Sequence, residues 1–313
     1  MGSRTERLHF RALKVALAIA FLVTATSAPI NVVRAAEGDD LINQGMTQNT
    51  SGNYPAAINA FERYLQLYPN GASVNQAHLY AGHAYMLQNK YITNAEASSA
   101  QNHFNAILRQ GPSARFFKEA LFHTAHLAYE MRNYADAKSR FEEFLRQYPN
   151  DGFNVYVYYY LANCEKQLGN NRNAIAYYEQ ALSKDPTSAL NWNCRLEHAS
   201  LVGKTGDYNA AERELATLAT TPNLPADIAG QVAVQRALLQ IVQQKYDNAI
   251  EILERYVSTY KSYDDSVATD AMAAVYLHEA YAYTAKRQIQ QALNVIERNL
   301  ERNNNTSVNE AAL

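Results

Sequence analysis

Residues 132–150, RNYADAKSRFEEFLRQYPN, repeat the pattern of residues 52–70, GNYPAAINAFERYLQLYPN. The two segments agree at a tyrosine, at an alanine three positions later, at a phenylalanine seven later, at a leucine eleven later and at a proline fifteen later. Offsets of 0, 3, 7 and 11 lie on one face of a helix with 3.6 residues per turn. The proline ends the helix, because it has no N–H to donate and its ring clashes with the preceding turn. Each segment is therefore predicted to be one amphipathic helix with a sharp stop.

The same frame recurs along the chain, as internal repeats do in stacked architectures. It runs through Asn171, Ala174, Tyr178, Leu182 and Pro186, through Tyr208, Ala211, Leu215 and Ala219, and through Tyr246, Ala249, Leu253 and Val257. The last copy is Ile289, Ala292, Ile296 and Leu300, and a weaker one is Ala97, Ala100, Phe104, Leu108 and Pro112. The starts at 97, 134, 171, 208 and 246 are spaced by 37, 37, 37 and 38 residues, and the two outer spacings are 43. Nine residues before the start stands a small residue: Gly45, Ala125, Ala162, Ala199, Ala237 and Ala280, with Gly82 the counterpart in the second copy, counted from Tyr91. A small residue there lets a preceding first helix approach the second closely, with the offset-7 side chain filling the space beyond.

A helix-turn-helix unit with a small residue, tyrosine, alanine, an aromatic and a terminal proline resembles the tetratricopeptide repeat. The resemblance runs from about Gly38 to Asn305. It implies an all-α, right-handed α-α superhelix of about seven helical hairpins. Extra residues between Tyr91 and Ala97 are expected to extend the first helix of that unit or widen its turn. The Y-x-x-A-x-x-x-F form is similar to exported bacterial repeat proteins of the cell-division coordinator and outer-membrane assembly types. The chain departs from the latter in lacking a lipoprotein cysteine, and from the former in lacking an N-terminal heptad coiled coil.

The N-terminus has the form of an export signal. Arg4, Arg7, Arg11 and Lys14 precede the apolar run Val15–Val23, which is short for a membrane span. Val33-Arg34-Ala35 offers a small-x-small site, so residues 1–35 are expected to be the signal peptide, 36–305 the solenoid and 306–313 a polar tail. An uncleaved anchor is the alternative. The expected compartment is periplasmic or secreted, without stable membrane insertion after cleavage.

The 313 residues carry 28 Lys plus Arg and 30 Asp plus Glu, a formal charge of −2. That balance argues against nucleic-acid binding, which needs a basic surface to displace counterions. The 12 glycines build no GxGxxG or GxxxxGK[ST] phosphate loop. No HExxH or GxSxG pattern occurs, so no catalytic residue, no cofactor and no metal is assigned, and the chain is read as a non-enzyme. His123 and His126 with Glu130 share a helix face, too few convergent ligands for a metal. Cys164 and Cys194 fall roughly 10 Å apart along neighbouring first helices, which predicts free buried thiols.

Tyrosine is the unusual residue, at 23. The groove positions that the resemblance implies fall on Phe122, His126 and Tyr129 in the third unit, Tyr156, Tyr159 and Asn163 in the fourth, and Leu196 in the fifth. That strip is aromatic and nearly uncharged, and tyrosine gives large contact area at low entropic cost with a hydroxyl to spare. Any single tyrosine there can equally be core. Tyr156, Tyr158, Tyr159 and Tyr160 cannot all face one way on a helix, so at least one is expected at the surface. The functional expectation is an exported scaffold that holds a peptide or partner protein in its groove, probed by replacing Tyr159 and Phe122 together. The alternative is a repeat protein that assembles with itself.

Overall fold

The computed structural model describes residues 32–184, 190–260 and 266–302. They form fourteen α-helices, and no strand occurs among the described residues. In chain order these are α1 (Val32–Thr50), α2 (Tyr54–Leu67), α3 (Val74–Leu87), α4 (Asn94–Leu108), α5 (Phe117–Glu130), α6 (Tyr134–Gln147), α7 (Asn154–Gln167) and α8 (Asn171–Lys184). They continue as α9 (Leu190–Lys204), α10 (Tyr208–Ala219), α11 (Ala226–Val242), α12 (Tyr246–Tyr260), α13 (Ser266–Ala285) and α14 (Ile289–Arg302). The helices pair in sequence as seven antiparallel hairpins, each second helix also touching the next first helix within its unit. The chain divides into two compact units, one ending at Lys184 and the other beginning at Asp185. The apolar run Val15–Val23, Pro186 and the tail 306–313 lie outside the described residues.

Six of the seven second helices begin at the residue where the sequence frame starts: Tyr54, Tyr134, Asn171, Tyr208, Tyr246 and Ile289. Two of their stops follow from proline. Tyr68 and Tyr148 end α2 and α6 at φ −132° and −131°. Each precedes a proline, whose ring disfavours the helical conformation in the residue before it.

Six hairpins turn in three residues, and the middle one is left-handed: Gly52, Arg132, Gly169, Gly206, Gln244 and Arg287. In five of them the N–H after that residue reaches back to the helix end, as in Asn133 N–H to Ala128 O at 2.9 Å, which satisfies a terminal carbonyl. Arg132, Gln244 and Arg287 adopt the same conformation without being glycine, at a modest steric cost.

The second hairpin differs. Its connection runs over residues 88–93, and α4 begins three residues before the frame start at Ala97. The first helix is not extended. The extra residues widen the turn and add nearly a turn to the front of the second helix. Thr93 and Glu96 explain this, because they form a capping box. The Thr93 hydroxyl accepts from Glu96 N–H at 3.2 Å, and the Glu96 carboxylate accepts from Thr93 N–H at 2.7 Å.

The seven small residues are all buried. A Cβ on Gly45 would stand 2.4 Å from Cε1 of Phe61, and one on Gly82 2.6 Å from Cε1 of Phe104. Both rings sit at offset 7 and are fully buried, as are Phe141, Tyr178, Leu215 and Leu253 at the same place in later hairpins. Contacts between hairpins are partly polar. In the first unit Lys138 Nζ of α6 meets Glu165 of α7 at 2.8 Å. In the second, Arg236 of α11 bonds Glu212 of α10 at 2.6 Å.

Candidate functional site

The expected groove residues divide between core and surface. In the N-terminal unit the first helices α1, α3, α5 and α7 touch one another in series. Phe122 on α5 is completely buried. Its ring lies 5.2 Å from Phe153, 5.8 Å from Phe141, 6.1 Å from Phe144 and 6.1 Å from Tyr160. Phe153, in the loop before α7, and Tyr160, on α7, come from the next hairpin and cover it. Phe122 is thus a core residue and not part of a binding wall. Leu196 in the C-terminal unit is corrected in the same way. It is buried among Ala199, Leu215, Ile228 and Val232, so the following first helix, α11, seals it.

Of the other five, His126, Tyr159 and Asn163 are buried too, and His126, Tyr129 and Tyr159 gather around Tyr160, which the sequence reading left unassigned. Tyr160 is fully buried, and its ring is stacked on Phe141 at 5.4 Å. Around it stand His126 at 4.7 Å, Tyr129 at 5.2 Å and Tyr159 at 5.5 Å between ring centres. His126 is nearly buried, and its Nε2 lies 3.0 Å from the Tyr160 hydroxyl and 3.1 Å from Glu130 Oε1. Asn163 donates to the Tyr159 carbonyl at 3.0 Å and accepts from the Tyr178 hydroxyl at 2.9 Å. Its amide therefore ties α7 to α8. Tyr129 and Tyr156 remain partly exposed, and Tyr158 turns to stack on Tyr177 at 6.2 Å. As the helical geometry requires, the four clustered tyrosines split between core and surface.

Burial, with neighbouring hydroxyls and Glu130, pushes the Tyr129 and Tyr160 phenols well up, so both stay neutral at any physiological pH. A cluster of neutral phenols can hydrogen-bond a backbone or an amide and can pack against apolar side chains. Cys164 and Cys194 are buried free thiols, and burial raises Cys164 to about 12, so neither is a reactive thiolate. Among the described residues no three His, Cys, Asp or Glu side chains converge as a metal site. Also among them, no helix is long and apolar enough to cross a membrane.

The ionisable core predicts opposite acid responses in the two units. In the N-terminal unit, burial and the nearby His83 and His126 hold the His123 ring well below its ordinary 6.5. Burial likewise lowers His103, and lowers His78 to about 4. The unfolded chain takes up these protons first, so the unit loses stability as pH falls through 6.5. His123 alone accounts for up to about 1.4 kcal/mol per pH unit there. In the C-terminal unit burial raises the Glu279 carboxyl to about 7, against the pull of Arg298 at 3.0 Å. There the folded state holds the extra proton, so stability falls as pH rises from 4.5 to 7. Hydrogen exchange at pH 7.5 and 5.5, corrected for intrinsic rates, should show faster opening of α3–α5 at the lower pH and slower opening of α13–α14.

The tetratricopeptide-repeat profile matches residues 41–71 and 123–189, the first hairpin and the third and fourth. These segments are tetratricopeptide repeats. No curated protein matches the chain significantly. A tetratricopeptide repeat protein from Parabacteroides merdae superposes with a TM-score of 0.62 at 17% identity, over 89% of this chain and 98% of that one. The C-terminal part of a repeat protein from Cytophaga hutchinsonii gives 0.60 at 15% identity, over 87% and 99%. Pseudomonas aeruginosa pilF gives 0.54 at 19% identity, over 74% and 95%. At these identities the likeness is one of fold.

Proposed function

We propose that this chain is an exported, non-catalytic repeat scaffold that holds a peptide or partner protein against the first helices of its N-terminal unit, in cell-envelope assembly or maintenance. The observation that carries the reading is the partly exposed pair Tyr129 and Tyr156 beside the Tyr159–Tyr160–Asn163 cluster, on two adjacent first helices. Repeat solenoids present such surfaces to extended partners, and tyrosine anchors contacts of this kind. Export is supported by the basic residues and apolar run of residues 4–23.

A photoreactive side chain at position 156 tests it in living cells, with the exposed Arg172 of α8 as the comparison position. The expected result is a discrete crosslinked partner from 156, absent from 172 and lost in Tyr129→Ser. Equal crosslinking from both positions would overturn the groove. This test leaves Phe122 in place, since its removal would disturb the core.

Self-assembly is favoured by a different observation. The last hairpin exposes Tyr281, Ile289 and Leu293 at 58%, 55% and 47%. An apolar face of this kind invites another subunit. A molar mass that rises with concentration in light scattering is the result this second reading requires, and a constant monomer mass removes it.

A further inference from the structure

The last hairpin, α13 with α14, carries an apolar face that no described helix covers. Leu293 of α14 stands at offset 4, where Lys138 and Glu212 reach across to Glu165 and Arg236 of the following hairpin. Ile296 stands at offset 7, where the six earlier side chains are completely buried, and it is only half-buried. On α13, Tyr281 takes the place of His83 and His126, which the next hairpin covers with His123 at 5.3 Å and Tyr160 at 4.7 Å between ring centres. Leu277 takes the place of Phe122 and Leu196, and it too is half-buried. This is the face that inner hairpins hand to their successors.

We propose that a second copy of this chain covers it, through a two-fold axis that sets the two α14 helices antiparallel. The pairing rests on the self-assembly reading above and closes at two chains instead of extending into a fibre. Ile289, Leu293, Ile296 and Leu300 form one stripe along α14 with spacings of four, three and four. That is the seam of paired helices, and it reads the same from either end. Turned on itself, it lays Ile289 against Leu300 and Leu293 against Ile296 of the second copy. One patch then serves both sides, as a two-fold interface requires. Leu277 and Tyr281 widen the face from α13.

The charges agree with this register. No charged side chain lies in the stripe. Glu297, beside it, falls nearest Gln290 of the second copy, whose amide can donate to the carboxylate, and the two Glu297 side chains are kept apart. Ala292 and Val295, on another side of α14, are buried within the hairpin. End-to-end stacking has no such match. Helix α1, which begins the described solenoid, exposes Glu37, Asp39, Asp40, Asn43 and Gln44. Laying these on an apolar face would strip carboxylates of water without pairing them.

Light scattering of the full chain over a concentration series, together with crosslinking, tests the pairing. The mass should rise from one chain and level at two. Ile289→Glu should raise the dissociation constant at least tenfold, because each pair would bury the new charge twice. A carboxylate suits the first residue of a helix, so helical circular dichroism should stay unchanged. Leu293→Ser, also at an exposed position, should act alike. Chains carrying Ile289→Cys and Leu300→Cys should crosslink when mixed, through a short bismaleimide. Ile289→Cys alone should not, since its two copies would lie about 16 Å apart along the helices. The native thiols are buried. A mass that climbs past two without levelling, or crosslinking of Ile289→Cys alone, would overturn the two-fold pairing and leave self-assembly standing. A dimer unaffected by both Ile289→Glu and Leu293→Ser would do the same. A constant monomer mass would overturn both.

Discussion

Phe122→Ala should lose about 3–5 kcal/mol of stability in the N-terminal unit, the cost of deleting a fully buried phenylalanine ring. The site has little freedom to collapse. Phe141 and Phe144 of α6, Phe153 of the following loop and Tyr160 of α7 pack around the ring at 5.2 to 6.1 Å. Tyr156→Ala, one hairpin on and partly exposed, should cost less than about 1 kcal/mol. Hydrogen exchange resolved by segment is the suitable measurement, because repeat units can open separately. The sole tryptophan, Trp192, lies in the C-terminal unit and would not report on this site. Equal, small effects for both substitutions would mean that Phe122 lines a surface after all.

Gly82→Ala should destabilise by about 1–3 kcal/mol, although alanine is the better helix former by about 1 kcal/mol. The new methyl would stand 2.6 Å from Cε1 and 2.8 Å from Cζ of Phe104. Phe104 is fully buried and can yield only by displacing its own neighbours. Gly45→Ala should behave alike, since its methyl would meet Phe61 at 2.4 Å.

Much of this fold was legible because one contact is written seven times. A small residue on the first helix and a large one at offset 7 on the second recur whatever fills the surface, so the frame locates helix starts at Tyr54, Tyr134 and Tyr208. The frame misplaced the start of α4 because the repeat pattern begins at Ala97, whereas the capping pair Thr93 and Glu96 begins the helix earlier. That Thr-x-x-Glu signal stood in the sequence and overrides the repeat register locally.

The binding strip was less legible. Whether a first-helix position faces solvent depends on what the following repeat lays over it. Phe153 closes over Phe122 from a loop, and Ile228 and Val232 help to enclose Leu196. No periodicity within one helix carries that information. Tyr160 went unassigned for the converse reason, since its role as the hub of the cluster depends on His126 and Tyr129 from the preceding hairpin.

The account rests on helix pairs held at close range by a small residue against a large one. A double-mutant cycle on Gly82→Ala and Phe104→Leu measures that contact most directly. If the glycine exists to admit the ring, the alanine should become neutral or stabilising once leucine replaces phenylalanine, with a coupling of at least about 1 kcal/mol. Costs that add to within about 0.5 kcal/mol would show that the two residues do not meet, and would contradict the packing described for the glycine-bearing hairpins.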